Sequence, residues 1–321
     1  MLQANEIEGV YAIVPTPAKE GADHWSATDT VDVDASVAMI DRLVTDGVDA
    51  IIALGTTGEC ATLTDAEWHT FADAVIDTTA GRVPLFIGAT TLGTHQTVER
   101  LRHLQRRGVT GTMLGLPMWQ PCTEDMAAKF YAQVSEAFPD LAVMVYMNTG
   151  AFRFDFSVSF WERVVQVAPT VTSAKWTRTT PHADCVAATG GRVNFIPIDM
   201  SMLPVAKAAP DTVTACWSTA ASMGPEPALA LMDAVAVRDW DRAEAVNADI
   251  AWANETFMPP NPADFSTFNI QIEKLRMVAA GYCSPGPLRP PYDVVSDELR
   301  VRAAENGRRW AEIAAKYRGA R

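Results

Sequence analysis

Lys175 closes the run Val171-Thr172-Ser173-Ala174-Lys175, where an amine ends an otherwise uncharged, β-rich segment. Burying an ammonium there is costly. Either a neighbouring carboxylate pairs with it at the strand end, or the amine is placed to react. A desolvated ammonium gives up its proton more readily, and the neutral amine can attack a ketone to form a Schiff base. The other lysines (Lys19, Lys129, Lys207, Lys274 and Lys316) all fit solvated helix or loop positions. Tyr146 ends a second apolar run, Val143-Met144-Val145-Tyr146-Met147-Asn148. A phenol there can relay protons to and from a substrate oxygen, or be a core tyrosine with its hydroxyl satisfied. Gly55-Thr56-Thr57-Gly58-Glu59 lies between a strand and a helix. Its N–H groups and hydroxyls can hold a small anion such as a carboxylate, or simply form a tight, capped turn. Glu59 reads as a residue that packs and hydrogen-bonds that loop.

Other chemistries find little support. The five histidines (His24, His69, His95, His103, His182) are scattered, with no HxxxH or HxH pair, so no metal site is expected. There is no Gly-x-Ser-x-Gly elbow, no Gly-x-Gly-x-x-Gly, and no Gly-Lys-Ser/Thr after the Gly55 turn. The five cysteines form no Cys-x-x-Cys and read as reduced thiols, which fits a cytoplasmic protein. Acidic residues outnumber basic ones 39 to 26, a net charge of −13, which disfavours nucleic acid and anionic membrane surfaces as partners. The longest apolar run, Leu141 to Met147, has the length of a strand and falls far short of the ~20 residues of a membrane span. The opening MLQANEIEGV lacks the basic and apolar regions of a secretory signal.

These candidates must be positioned by the elements around them. Eight short apolar runs read as strands: Val10–Pro15, Ala50–Leu54, Pro84–Gly88, Gly111–Leu116, Ala142–Met147, Val171–Lys175, Val193–Ile198 and Val213–Cys216. They are apolar on both faces, the mark of a parallel sheet covered on both sides. Between them the patterning predicts helices over Asp34–Asp46, Asp65–Thr79, Thr94–Arg107, Thr123–Phe138, Ser157–Val167, His182–Thr189 and Leu203–Ala208. Thr64-Asp65-Ala66-Glu67 is a capping box, and Thr123 and Ser157 are further N-caps. Strict alternation favours a (β/α)8 TIM barrel over an open doubly wound sheet. An eighth helix, Pro225–Val237, would close a barrel of residues 1–237. Residues 238–321 would form a helical extension packed as part of the same unit, through Asp239–Phe257, Phe265–Gly281 and Asp297–Tyr317. Chemistry in such a barrel sits where strands end. That selects Thr16, the Gly55–Cys60 loop, Met118 and Trp119, Tyr146 to Asn148, Lys175 to Arg178, Asp199 and Trp217. Adjacent fifth and sixth strands would put Tyr146 beside Lys175.

The order Pro15-Thr16-Pro17, Gly55-Thr56-Thr57-Gly58-Glu59, Tyr146, Lys175 resembles the Schiff-base pyruvate aldolases of the N-acetylneuraminate lyase and dihydrodipicolinate synthase superfamily. The resemblance implies a (β/α)8 barrel, usually a homotetramer, without metal or organic cofactor. It implies an imine between Lys175 and a pyruvyl carbonyl, proton relay by Tyr146, and a carboxylate held by Thr56 and Thr57. The chain departs from the synthase branch at Leu116-Pro117-Met118-Trp119-Gln120, where a tyrosine pair is missing. It departs again where Arg153 is displaced along its loop and free to form a salt bridge there. Met118, Met147, Trp119 and Trp217 replace the polar pocket of the sialic-acid lyases. Gly-Glu-Cys-Ala-Thr-Leu-Thr (58–64), Gly-Thr-Met-Leu-Gly-Leu-Pro-Met-Trp (111–119), Phe154-Asp155-Phe156, Trp217-Ser218 and Arg289-Pro290-Pro291-Tyr292 resemble the hydratase-aldolase branch acting on benzylidenepyruvates.

That branch implies cleavage of an ortho-substituted benzylidenepyruvate, a small aromatic keto acid, to an aromatic aldehyde and pyruvate. Trp217 would stack on the aromatic ring or be a barrel-core tryptophan. Asn148 or Asn269 would hold a water. The ortho group is a hydroxyl or a carboxylate among relatives. Arg178, three residues past Lys175, would favour the carboxylate, because a buried carboxylate wants a cation, or be a solvated loop arginine. A different pyruvate aldolase, a keto-acid dehydratase and a non-catalytic aromatic-acid-binding barrel are the rival readings.

Overall fold

The computed structural model describes residues 1–177 and 180–319. Its strands are β1 (Gly9–Ile13), β2 (Ala50–Ala53), β3 (Leu85–Ile87), β4 (Gly111–Leu114), β5 (Ala142–Tyr146), β6 (Val171–Lys175), β7 (Asn194–Ile196) and β8 (Ala215–Ser218). They lie in the sheet order β7-β6-β5-β4-β3-β2-β1-β8. With helices between them this is a (β/α)8 barrel with a C-terminal helical extension, as the alternation predicts. Every residue of β2, β4, β5, β6 and β8 is buried. Both faces of these strands are covered, which is why they read as continuous apolar runs.

The chain divides into two compact units. The first comprises Met1–Gly9 and Pro84–Trp217. It carries α3 and α4 (Thr94–Arg106, Glu124–Ala137), α5 and α6 (Thr149–Phe152, Val158–Val167), and α7 and α8 (His182–Thr189, Asp199–Ala208), following α1 (Val33–Thr45) and α2 (Asp65–Thr79) in chain order. Thr123 and Ser157 cap α4 and α6 by accepting from the N–H groups of Met126 (3.3 Å) and Phe160 (3.2 Å). The Phe154-Asp155-Phe156 segment is anchored by edge-on packing: Phe154 and Phe156 both meet Phe160, and Trp161 meets Phe195. Two helices depart furthest from the sequence expectation. The single turn α5 was not foreseen, because four residues carry too little periodicity to register. Helix α8 begins at Asp199 rather than Leu203 and runs through Pro204. A proline lacks the interior helical N–H, so its presence suggests a start nearby rather than a continuation.

The second unit comprises Val10–Val83 and Ser218–Arg321. It holds α1 and α2 and the extension: α9 (Glu226–Ala236), α10 (Trp240–Asn254), α11 (Phe265–Ala280) and α12 (Asp297–Tyr317). Behind α11 a buried polar cluster joins the elements. Arg276 pairs with Glu273 at 2.6 Å, donates to the Thr219 hydroxyl at 2.5 Å and to Asn306 at 3.2 Å, and stacks over Phe257 at 4.1 Å. The loop after β1 is closed by an antiparallel bridge between Ala18 and Val31, with Trp25 exposed at its tip.

The capping box on α2 is present and extends further than its own helix. The Thr64 hydroxyl accepts from the Glu67 N–H at 3.2 Å, while Glu67 accepts from the Thr64 N–H at 2.9 Å. The other Glu67 oxygen accepts from the Thr30 N–H at 2.7 Å and hydroxyl at 2.5 Å. Burial alone would raise the Glu67 pKa, but the Thr30 and Thr64 hydrogen bonds outweigh it and hold the carboxyl at about 2 instead of its ordinary 4.5. A depressed carboxyl pKa adds stability that is complete above the ordinary value and is lost as pH falls toward the native one. Glu67→Gln should therefore cost about 1–3 kcal/mol at pH 7. The variant and the parent should converge as pH is lowered from 4.5 toward 2. Urea unfolding at a series of pH values reads this directly, and a constant difference across the series would contradict it.

Candidate active site

In the first unit, β5 and β6 are parallel neighbours in a register that pairs Tyr146 with Lys175. Tyr146 is 7% and Lys175 8% exposed. The Lys175 Nζ lies 5.1 Å from the centre of the Tyr146 ring and 3.4 Å from the centre of the Trp217 ring. Trp217 stands on β8, its backbone N–H donating to the Pro197 carbonyl at 2.9 Å. The amine thus sits against two aromatic side chains from β5 and β8, and the two residues singled out for covalent and proton chemistry are side by side.

The Tyr146 phenol is positioned from two directions. Its oxygen accepts from Asn148 Nδ2 at 3.2 Å. The Asn148 Oδ1 in turn caps α5 by accepting from the Ala151 N–H at 3.0 Å, so the capped turn fixes the amide. The Tyr146 ring meets Phe152 edge-on, centroids 5.4 Å apart. Phe152 reaches that place because position 115 is glycine: a Cβ there would come within 1.9 Å of the Phe152 ring. The chain past β4 is fixed as well. The Met118 N–H donates to the Thr91 carbonyl at 3.2 Å, and Arg153 donates to the carbonyls of Met118 (2.9 Å) and Trp119. Arg153 thus spends its guanidinium on this backbone, where a salt bridge was expected. Met118 is half-buried and Trp119 faces solvent. Asp199 is buried as the first residue of α8, its carboxylate accepting from the Met200 N–H at 2.6 Å. Arg178 lies outside the described residues.

The Gly55–Glu59 turn belongs to the second unit. It is tightly bound to its surroundings. The Thr16 hydroxyl donates to the Gly58 carbonyl at 2.7 Å, and the Glu59 N–H donates to the Thr56 carbonyl at 2.9 Å. Leu54 and Glu59 both take left-handed conformations, φ 60° and 53°. Such residues persist only where their surroundings over-determine them. Gly58 leaves the turn room, because a Cβ there would meet the Leu54 backbone at 2.9 Å. Thr57 is buried and Thr56 half-buried.

What holds the turn is the Glu59 carboxylate, fully buried. One oxygen accepts from Lys274 at 2.6 Å and from the Arg289 guanidinium at 2.7 Å; the other accepts from the Arg289 N–H at 3.1 Å. Arg289 also donates to the Thr30 hydroxyl at 2.8 Å and to the Thr16 and Pro17 carbonyls. Lys274 was expected in a solvated place, and this is corrected: it is 2% exposed. Burial pushes its amine down to about 8, and Glu59 opposes that fall. A signal for it existed in the sequence. Ile270, Lys274 and Met277 are spaced by four and three, so the lysine lies on the apolar stripe of α11. Asn269, half-buried, is on the same helix.

On a (β/α)8 scaffold, comparison with known proteins places the chain among aldolase-type barrels. It belongs to the dihydrodipicolinate synthetase family, whose profile matches residues 23–303. It is 38% identical to a trans-O-hydroxybenzylidenepyruvate hydratase-aldolase of Pseudomonas putida, with 98% of this chain and 96% of the relative aligned. It is 40% identical to a trans-2'-carboxybenzalpyruvate hydratase-aldolase of a Nocardioides species, strain KP7, over 97% and 95% of the two chains. A solved structure described as PhdJ bound to a substrate intermediate superposes with a TM-score of 0.95 at 37% identity, covering 98% of this chain and 99% of that one.

The packing around Tyr146 yields a test at a residue that touches no substrate in any reading. Gly115→Ala should push Phe152 out of its seat and release the Tyr146 ring. The expected stability cost is about 1–3 kcal/mol, the range for overpacking a filled site. With Tyr146 as the proton relay proposed below, the expected loss in kcat is about tenfold or more. Urea unfolding and steady-state kinetics measure the two. An unchanged kcat would remove Phe152 from the positioning of Tyr146.

Proposed function

We propose that this enzyme is a Schiff-base hydratase-aldolase. It converts an ortho-substituted benzylidenepyruvate and water to an aromatic aldehyde and pyruvate. The observation that carries the reading is the pairing of Tyr146 with Lys175, the amine buried against Tyr146 and Trp217. Support comes from family membership and from the hydratase-aldolase relatives aligned over nearly the whole chain.

Lys175 Nζ adds to the C2 carbonyl carbon, and loss of water leaves an iminium conjugated with C3=C4. Electron withdrawal toward nitrogen lets water add at C4; protonation of C3 then restores the iminium. Removal of the C4 hydroxyl proton breaks the C3–C4 bond, and its electrons pass to the iminium as the aldehyde leaves. Protonation of the resulting enamine and hydrolysis release pyruvate and the free amine. The iminium acts twice, as activator for hydration and as electron sink for cleavage. Tyr146 moves the protons, its oxygen held by Asn148. From the family pattern, Thr56 and Thr57 hold the substrate carboxylate and Asn269 reaches the substrate, while Met118 and Asp199 line its place from the ends of barrel strands. The homotetramer comes from the same pattern, and the cytoplasmic location from the reading of the cysteines as reduced thiols. Among the described residues no helix is long and apolar enough to cross a membrane.

The relatives differ in the ortho group their names carry, at nearly equal identity. We favour trans-2'-carboxybenzalpyruvate, giving 2-carboxybenzaldehyde, because Arg178 follows Lys175 closely enough in the chain to meet a distal carboxylate. The hydroxyl analogue, giving salicylaldehyde, is the alternative. Purified enzyme supplied with each compound should release aldehyde and pyruvate in equal amounts, and Lys175→Met should abolish this. Arg178→Ala should slow the carboxylated substrate at least about tenfold more than the hydroxylated one, as expected when a charge-assisted contact is lost. Equal losses would contradict the carboxylate assignment. Binding of both compounds without aldehyde release would contradict the enzymatic reading and favour an aromatic-acid-binding barrel.

A further inference from the structure

The indole of Trp217 is held where it meets the lysine nitrogen itself. Nζ is 3.4 Å from the ring centre, with the Tyr146 ring centre at 5.1 Å. The ring is registered against the strand that carries the amine. Its Nε1–H donates at 3.2 Å to the carbonyl of Trp176, the residue after Lys175. The Trp217 backbone pairs with Ile198 in a parallel bridge. Trp176 is itself pinned, its backbone N–H donating to the Ile196 carbonyl and its indole N–H to the Thr180 carbonyl, both at 2.9 Å. His182 packs edge-on against Trp176. Trp217 is 7% exposed, so little water screens what its face does to a charge.

An aromatic face carries the negative part of the ring quadrupole and attracts a cation placed over it, most strongly for indole and when desolvated. We propose that Trp217 is a catalytic residue whose face stabilises the positive nitrogen of the protonated Schiff base on Lys175. The proposal rests on the Lys175 imine of the preceding section and assigns Trp217 a role that needs no aromatic substrate. In the step concerned, Nζ forms a bond to C2 and the C2 oxygen departs as water. That oxygen takes one proton from the amine and one from a general acid. The nitrogen keeps one hydrogen and carries the charge through hydration and cleavage. The indole face supplies attraction without a lone pair.

The experiment uses pyruvate alone, so ring stacking cannot contribute. The purified full-length enzyme is incubated with sub-saturating pyruvate and borohydride, and the reduced adduct on Lys175 is followed by peptide mass. Trapping should fall about tenfold in Trp217→Leu and by an intermediate factor in Trp217→Phe. Site-specific replacement of the indole at position 217 by mono-, di- and trifluorinated indoles preserves its shape while draining its face. Trapping should then decline stepwise with fluorine number, which a structural role would not produce. This series decides the matter even if the leucine variant does not fold. A flat series, or parent-like trapping in both substitutions with aromatic turnover lost, would overturn the proposal and leave Trp217 as a ring-stacking residue. No adduct in the parent enzyme would overturn the Lys175 imine and this proposal together.

Discussion

An amine buried at the end of an apolar strand must be given an environment that tolerates both its neutral and its charged forms. Everything proposed for this enzyme depends on how that is done at Lys175. Parallel pairing of β5 with β6 sets a phenol beside the amine. An indole from β8, tied back to the backbone next to the lysine, lies against the nitrogen. Aromatic faces suit this task because they attract a cation most strongly where little water screens it. In the proposed reaction the same nitrogen begins as a nucleophile and continues as a cation.

Around Glu59 in the second unit, buried formal charges are clustered and heavily hydrogen-bonded. Glu59 is met by Lys274 and Arg289, and Arg289 reaches through the Thr30 hydroxyl toward Glu67. Breaking one member of such a network would leave an uncompensated charge, typically a loss of 3–5 kcal/mol. The turn carrying Thr56 and Thr57 is shaped by this network, and two residues beside it adopt left-handed backbone that an unsupported loop would abandon. The C-terminal extension supplies both cations, so in the second unit it is a structural part of that turn.

The local signals in the sequence read true where a single element decides the outcome. Strand β6 and helices α2, α7 and α12 have the expected bounds, and the caps at Thr64, Thr123 and Ser157 close as their residue types require. The Tyr146–Lys175 pair was legible because strand order follows from the alternating pattern. What was not legible depends on partners distant in the chain. The spacing of Lys274 hints at burial, but its partner Glu59, 215 residues earlier, cannot be read from the sequence. The role of Gly115 depends on Phe152, in a one-turn helix too short for periodicity to reveal. The branch resemblance assigns the face of Trp217 to a substrate ring, since nothing in the sequence places the lysine nitrogen over it.

The central claim is that Lys175 becomes covalently linked to the keto carbon at this position. Diffraction from crystals of the enzyme soaked in pyruvate tests it most directly. The account predicts continuous density from Nζ to C2, with the linked nitrogen still lying over the indole of Trp217. Pyruvate bound but unlinked, or a lysine turned away from the ring to meet a carboxylate, would contradict it.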